Sequence, residues 1–207
     1  MFKQEETLLL ASNSWGLKYV LDFAKIEYKT LENLFSDIEE NSFKETVNRL
    51  DIKTQIQKIS DYKGIEISKT YPNDYVLSGD QASVVEGEVI SKPYSQAEAI
   101  AQLTAHAGKN YQLITSITLC KNGQIIWQHQ ETPTVQLRKF CMKEAQLYVE
   151  LEEKSATGSV VGIAGTCKIE SPLAAHMIKN VNGSHHTIIG LPIHALIDKF
   201  YDLKILT

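Results

Sequence analysis

The sequence has few cysteines and no apolar run long enough to cross a membrane. Cys120, Cys141 and Cys167 are widely spaced and odd in number, which excludes a zinc-finger pattern and a disulfide framework and favours a reducing, cytoplasmic environment. No stretch approaches the roughly 20 apolar residues of a membrane span. The first apolar run, Leu8–Ala11, is too short for the core of a signal peptide. We therefore expect a soluble cytoplasmic protein with no membrane partner.

The chain also lacks basic blocks, internal repeats and low-complexity linkers. It carries 25 acidic and 21 basic residues, a net charge of -4, with no cluster of Lys or Arg. Duplex nucleic acid is therefore not an expected partner. No serine or cysteine lies in a nucleophile elbow. With 43% hydrophobic residues in 207, the chain can bury a sizeable core, and we expect a single domain over residues 1–207.

The first 31 residues predict a strand, a turn and a helix. Residues 7–11 form a short apolar run, and residues 15–26 carry apolar side chains at helical spacing. Ser12 or Ser14 would cap this helix, and the turn between strand and helix would offer hydroxyls and backbone N–H groups to an anion. A second strand is expected over residues 25–31.

The rest of the chain alternates between helix and strand patterns. We predict a loop at 32–41, helices at 43–60, 95–107, 143–153, from 174 onward and at 194–203, and strands at 74–78, 83–90, 111–120, 124–130 and 134–140. One helix would begin at Ser95, where Glu98 completes a capping box, and would end at Gly108. Asn122-Gly123 would close a hairpin. Helices that alternate with strands around a central β-meander predict an α/β fold with a mixed sheet.

The segment Ser78-Gly79-Asp80-Gln81 is the strongest single functional signal. It follows the apolar run at 75–77, so the predicted strand would deliver Asp80 to the carboxyl edge of the sheet, where ligands bind in open α/β folds. Lys92, fixed by Pro93, could bring a positive charge to the same place. An acid and a lysine together suit an anionic substrate, with phosphate as the leading candidate. A turn or a helix cap is the alternative interpretation of Asp80.

Four separated pieces of the chain resemble the Maf-type nucleoside triphosphate pyrophosphatases. They are Leu10-Ala11-Ser12-Asn13-Ser14, then Gly79-Asp80-Gln81 with Lys92-Pro93, then residues 164–170, Ala-Gly-Thr-Cys-Lys-Ile-Glu, and Ile189-Gly190-Leu191-Pro192. Their order and spacing agree with the family over nearly the whole chain. Gln81 and Glu170 resemble the branch that acts on 7-methyl-GTP, whereas the branch for dTTP and UTP carries Thr and Gln at these positions.

The resemblance implies hydrolysis of a nucleoside triphosphate to monophosphate and pyrophosphate with Mg²⁺ or Mn²⁺. Asp80 would activate water or hold the metal, and Glu40 would be a second metal ligand. The expected substrate-binding residues are Ser12, Ser14, Trp15, Gly16, Lys18, Lys53, Gln81, Lys92 and Glu170. The family also implies an elongated, twisted sheet flanked by helices, two lobes with a cleft between them, and a homodimer.

Each of these residues also has a simpler interpretation. Ser12 and Ser14 could serve only as helix caps, and Trp15 could belong to the core or to an interface. Lys53 could lie on a solvated helix face, and Glu40 in a solvated loop. Glu170 could be an ordinary surface acid.

The resemblance ends directly after Ser14. The family has a proline and two arginines there, whereas this chain has Trp15, Gly16, Leu17 and Lys18. A guanidinium binds phosphate in a bidentate way that one lysine does not reproduce. A degenerate family member that binds a nucleotide without cleaving it is therefore the alternative function.

Overall fold

The structure, a computed structural model, describes residues 3–31 and 37–207. The strands in this part of the chain are β1 (Leu8–Leu10), β2 (Tyr28–Thr30), β3 (Tyr75–Val85), β4 (Glu88–Val89), β5 (Asn110–Lys121), β6 (Gln124–Glu131), β7 (Thr134–Leu137) and β8 (Ile178–Asn182). The α-helices are α1 (Trp15–Phe23), α2 (Asp37–Val47), α3 (Ile52–Thr70), α4 (Gln96–His106), α5 (Met142–Glu153), α6 (His185–Ile189) and α7 (Ile193–Asp202), with a 3-10 helix at Pro172–His176.

The strands form one mixed sheet, which confirms the predicted α/β class. Its order is β2-β1-β3-β5-β7-β8, with β4 paired to β3 and β6 paired to β5. β1 runs parallel to β2 and β3, whereas the hairpin of β5 and β6 and the pairs formed by β7 are antiparallel. The predicted lobes and cleft stay predictions.

The chain divides into two compact units. The first comprises residues 1–81, 115–131 and 190–207, and the second comprises residues 82–114 and 132–189. In the first unit, β1 is fully buried together with Leu21, Leu77 and Phe200. In the second unit, α4 and α5 pack around Leu103, Ala145 and Val149.

Several local predictions are confirmed. Ser95 accepts a hydrogen bond from the Glu98 N–H at the start of α4, and Gly108 follows the helix with φ of +80°. Asn122 and Gly123, with φ of +51° and +70°, make the turn between β5 and β6. This left-handed conformation in both central residues is the one that two-residue hairpin loops favour.

Other boundaries differ from the prediction. The helix expected at 43–60 is two helices, because the chain breaks after Val47 and Asp51 caps α3 by accepting from the Thr54 N–H. α2 also includes residues 37–41, which were expected to be a loop; the rest of that loop, 32–36, lies outside the described residues. Residues 178–182, expected to be helical, form the strand β8, which pairs with β7.

Candidate functional site

The turn between β1 and α1 has the expected capping geometry. Ser14 is the N-cap of α1, and its Oγ accepts a hydrogen bond from the Leu17 N–H at 3.4 Å. The Oγ of Ser12, which is 8% exposed, accepts from the Ser14 N–H at 3.1 Å. Ser14 therefore caps the helix, the Ser12 hydroxyl holds the turn before it, and α1 directs its free N–H groups toward this turn. That arrangement suits an anion.

Two glycines allow other segments to lie directly against the first turn of α1. A Cβ placed on Gly79 of β3 would lie 2.9 Å from Cδ1 of Leu17. Gly190, with φ of +145°, has the backbone of Gly16 and Leu17 within 3.6 Å of its Cβ position. Three of the four sequence motifs, those of β1, β3 and the C-terminal segment, therefore meet at this turn.

Asp80 lies in the middle of β3 and not after it. The strand continues through Gln81 to Val85, so Asp80 does not cap a helix or begin a turn. Its Oδ1 accepts a hydrogen bond from Nζ of Lys63 at 3.1 Å. The neighbouring Gly79 packs on α1, and because successive strand residues point to opposite faces of a sheet, the Asp80 carboxylate faces α3.

Lys63 links two carboxylates. Its Nζ lies 3.2 Å from Oε2 of Glu40 as well as 3.1 Å from Asp80, and its side chain is only 9% exposed. Glu40, on α2, also pairs with Lys44 one turn along the same helix. The result is a chain of alternating charges, Lys44–Glu40–Lys63–Asp80, built from α2, α3 and β3.

Burial and the neighbouring charges shift the pKa values of Asp80, Lys63 and Glu40. Burial raises the pKa of Asp80, although the Lys63 ammonium opposes that shift. Burial acts to lower the pKa of Lys63, but Asp80 and Glu40 outweigh it, and the pKa of Lys63 is raised. The pKa of Glu40 is lowered, because Lys44 and Lys63 together outweigh the effect of burial. A cationic Lys63 beside an acid with a raised pKa suits a general base.

Lys63 was missed in the sequence, where Lys53 was selected on the same helix. Lys53 lies in the first turn of α3 and is exposed, whereas Lys63 lies almost three turns further on and is buried. A small residue, Gly64, directly follows Lys63 and lies against the sheet. A lysine beside a glycine in the middle of an amphipathic helix was the available signal. The role of Lys53 in substrate binding stays a prediction.

The remaining predicted residues of the first unit differ in exposure. Gln81 is exposed, and its Nε2 donates to Oγ1 of the buried Thr115 at 2.6 Å. Trp15 is 52% exposed and packs against Tyr19 in a tilted arrangement, with ring centroids 4.7 Å apart. Lys18 is half-buried. An exposed indole at the start of α1 is available to a planar ligand.

Glu40 and Asp80 offer two carboxylates that could hold a magnesium ion. Among residues 3–31 and 37–207, no three His, Cys, Asp or Glu side chains come together as metal ligands. The two carboxylates already converge on one cation, the Lys63 ammonium. Mg²⁺ commonly binds through one or two carboxylates, with waters and substrate phosphates as its other ligands. Asp80 and Glu40 therefore fit that pattern.

Lys92 and Glu170 belong to the second unit. Lys92 is exposed, and the carbonyl of the adjacent Pro93 accepts from the Gly162 N–H at 2.9 Å. Burial raises the pKa of Glu170, although Lys168 opposes the shift. Nζ of Lys168 is itself buried against the carbonyl oxygens of Thr157 and Gly158. Their roles in substrate binding stay predictions.

No helix in the described part of the chain is long and apolar enough to pass through a bilayer. The three cysteines are all free, Cys120 buried and Cys141 exposed.

Comparison with known proteins agrees with the motifs. A nucleoside triphosphate pyrophosphatase of Legionella pneumophila is 26% identical over 204 residues, covering 99% of this chain and 97% of its own length. A protein of the same description from Hyphomonas neptunium is 27% identical over 95% of this chain and 96% of its own. A dTTP/UTP pyrophosphatase of Symbiobacterium thermophilum is 30% identical over 67% of this chain and 68% of its own. The family model described as Maf-like protein matches residues 7–203, and the chain belongs to that family.

Proposed function

We propose that this protein hydrolyses a nucleoside triphosphate between the α- and β-phosphates, giving a nucleoside monophosphate and pyrophosphate. The relatives that match almost the whole chain are described as nucleoside triphosphate pyrophosphatases. The observation that carries the proposal is the buried pairing of Asp80 with Lys63, in a unit that also holds the capped N-terminus of α1. Acid, cation and helix N-terminus are the groups that such a reaction needs.

Asp80 is the proposed general base. Its raised pKa means that the carboxylate holds a proton more strongly than an exposed aspartate does. A base of this kind can accept a proton from water as the water attacks phosphorus, and general-base catalysis contributes roughly 10²–10⁴-fold to a rate. In our proposal, Asp80 orients the attacking water and accepts its proton at the carboxylate.

The charge that develops on the phosphate oxygens would meet positive groups on the first unit. The α1 N-terminus contributes backbone N–H groups, and Lys18 and Lys63 contribute ammonium groups. A divalent cation held by Asp80 and Glu40 would supply further charge neutralisation when bound. Ser12 and Ser14 would fix the turn around the phosphates, and Gly16 would meet them through its backbone.

A 7-methylguanine base is the proposed specificity. Gln81 and Glu170 are the residues that resemble the 7-methyl-GTP branch of the family, and Trp15 exposes an indole at the start of α1. A methylated guanine carries a positive charge, which favours an aromatic face and a carboxylate. Gln81→Thr is expected to lower kcat/KM for 7-methyl-GTP more than for UTP.

A panel of triphosphates with and without Mg²⁺ or Mn²⁺ tests the proposal. The panel contains GTP, 7-methyl-GTP, dTTP, UTP and ATP, and the readout is pyrophosphate release. We expect metal-dependent release that is fastest with 7-methyl-GTP. If release is fastest with dTTP or UTP, the proposed specificity is rejected. If no nucleotide gives release above the Asp80→Asn control, the proposed pyrophosphatase activity is rejected.

A second candidate function is nucleotide binding without hydrolysis. The specific observation is the segment Trp15-Gly16-Leu17-Lys18, in which a single lysine replaces the two arginines of the family. Calorimetry with matched mono- and triphosphates distinguishes the two. A pyrophosphatase is expected to bind the triphosphate more tightly than the monophosphate, because the β- and γ-phosphates add contacts. Equal affinity for the two nucleotides, without turnover, would support nucleotide binding without hydrolysis.

We also propose a homodimer, as the family resemblance implies. Light scattering at micromolar concentration is expected to give twice the chain mass of 23.3 kDa. A particle of the single-chain mass would reject the dimer without bearing on the activity.

A further inference from the structure

A polar seam, buried except for Gln128, holds α3 on the sheet. It consists of Ser60, Asp61, Gly64, Ser78, Thr118 and Gln128, from α3 and strands β3, β5 and β6. Ser60, Ser78 and Thr118 have no exposed surface, and Asp61 is 6% exposed. Because helices normally pack on sheets through apolar side chains, a polar contact here requires a specific explanation.

Asp61 is the centre of the seam. Its Oδ1 accepts hydrogen bonds from Oγ1 of Thr118 at 2.8 Å, Nε2 of Gln128 at 2.6 Å and Nε2 of Gln57 at 2.8 Å. All three donors are neutral side chains. A side chain that accepts three hydrogen bonds in the interior is held in one orientation, so Asp61 specifies how α3 contacts β5 and β6.

The seam also fixes how closely α3 approaches β3. Oγ of Ser78 donates to the carbonyl of Ser60 at 2.8 Å. A Cβ on Gly64 would lie 2.7 Å from that Oγ, so the helix and strand have no space for a side chain between them. Ser78 lies two residues before Asp80 on the same strand, and Gly64 directly follows Lys63 on the helix.

We propose that Asp61 is a positioning residue for Lys63. The two residues lie two positions apart and so point to different sides of α3. By anchoring one side of the helix to β5 and β6, Asp61 fixes the rotation of α3 about its axis. That rotation sets whether the Lys63 ammonium reaches both Asp80 and Glu40. The catalytic part of this inference rests on the proposed hydrolase function, but the positioning of Lys63 does not.

The test compares Thr118→Val, which removes the hydroxyl donor, with Thr118→Ser, which keeps it. Acetylation of Lys63 in the native protein is followed by peptide mass spectrometry, with the exposed Lys53 and Lys58 as internal references. We expect Thr118→Val to raise the relative labelling rate of Lys63 roughly tenfold, the effect of one lost buried hydrogen bond. Thr118→Ser is expected to restore protection.

Ser68→Ala is the matched control, because Ser68 is a buried hydroxyl toward the end of α3 that bonds the Gly123 N–H. We expect it to lower stability and leave Lys63 labelling unchanged. If Thr118→Val does not fold, Gln128→Leu removes one donor to Asp61 from an exposed position and is expected to raise labelling in the same way. Unchanged Lys63 labelling in the folded variants would overturn the proposal.

A kinetic measurement then separates the two claims. If the protein is a pyrophosphatase, Thr118→Val is expected to lower kcat roughly tenfold with little change in KM, and Thr118→Ser to recover it. An inactive wild-type protein with increased Lys63 labelling in Thr118→Val would reject the proposed function and retain the positioning role. Full activity in Thr118→Val together with unchanged Lys63 labelling would reject the positioning role alone.

Discussion

Nζ of Lys63 lies 3.1 Å from Oδ1 of Asp80, and this pair joins the middle of α3 to the middle of β3. The same ammonium contacts Glu40 on α2, so one buried cation neutralises two acids. The pair defines the chemistry of the first unit, because it determines the charge that surrounds Asp80.

Removal of the Lys63 charge is expected to destabilise the protein. Lys63→Met leaves Asp80 and Glu40 without their shared cation, and breaking a buried pair in this way costs about 3–5 kcal/mol. Urea denaturation gives the free energy of unfolding. Lys53→Met, on the exposed first turn of α3, is the matched control and is expected to change it by less than about 0.5 kcal/mol. Equal unfolding free energies for the two variants would contradict the buried pair.

Gly64→Ala is expected to lower stability even though alanine is the better helix former. In an open helix this change would add about 1 kcal/mol. Here the new Cβ would lie 2.7 Å from Oγ of Ser78 and 2.8 Å from Sγ of Cys120, both in the interior. Overpacking of this kind costs about 1–3 kcal/mol. A higher melting temperature for Gly64→Ala would show that α3 lies further from the sheet.

Glu170→Gln is expected to stabilise the protein at neutral pH and not in acid. Burial raises the folded-state pKa of Glu170, so between the unfolded and folded pKa values the folded state binds more protons than the unfolded state. Stability therefore falls as pH rises through that window, and ionised Glu170 is unfavourable above it. The variant is expected to melt higher than the parent at about pH 7 and equally at about pH 4, below the ordinary glutamate pKa.

Scanning calorimetry at the two pH values measures this difference. A Glu170→Gln variant that melts lower than the parent at neutral pH would mean that the carboxylate stabilises the fold. If Glu170→Gln is more stable than the parent but binds 7-methyl-GTP less tightly, the Glu170 carboxylate serves substrate binding at a cost in stability.

The local elements could be predicted where turn or cap residues fix the backbone. Ser14 and Ser95 begin helices, and Asn122-Gly123 closes a hairpin, because each choice depends on neighbouring residues only. The strand β8 was missed because its short sequence, Ile178–Asn182, has no strong alternation, and its pairing with β7 provides the stabilisation.

The candidate site could be predicted only in part. Asp80 was found from its motif, but its position in mid-strand was not, because the length of β3 depends on pairing with distant strands. Lys63 was missed because the predicted helix ended at residue 60, whereas α3 continues to Thr70. Lys53 lay inside the predicted helix and Lys63 lay beyond its end.

Product analysis of wild type and Asp80→Asn tests the central claim most directly. With 7-methyl-GTP and Mg²⁺, the wild type is expected to release the monophosphate and pyrophosphate in equal amounts, and Asp80→Asn to do so at least roughly a hundredfold more slowly. The diphosphate with inorganic phosphate as products, or equal rates for the two proteins, would contradict the assignment of Asp80 as the general base of a pyrophosphatase.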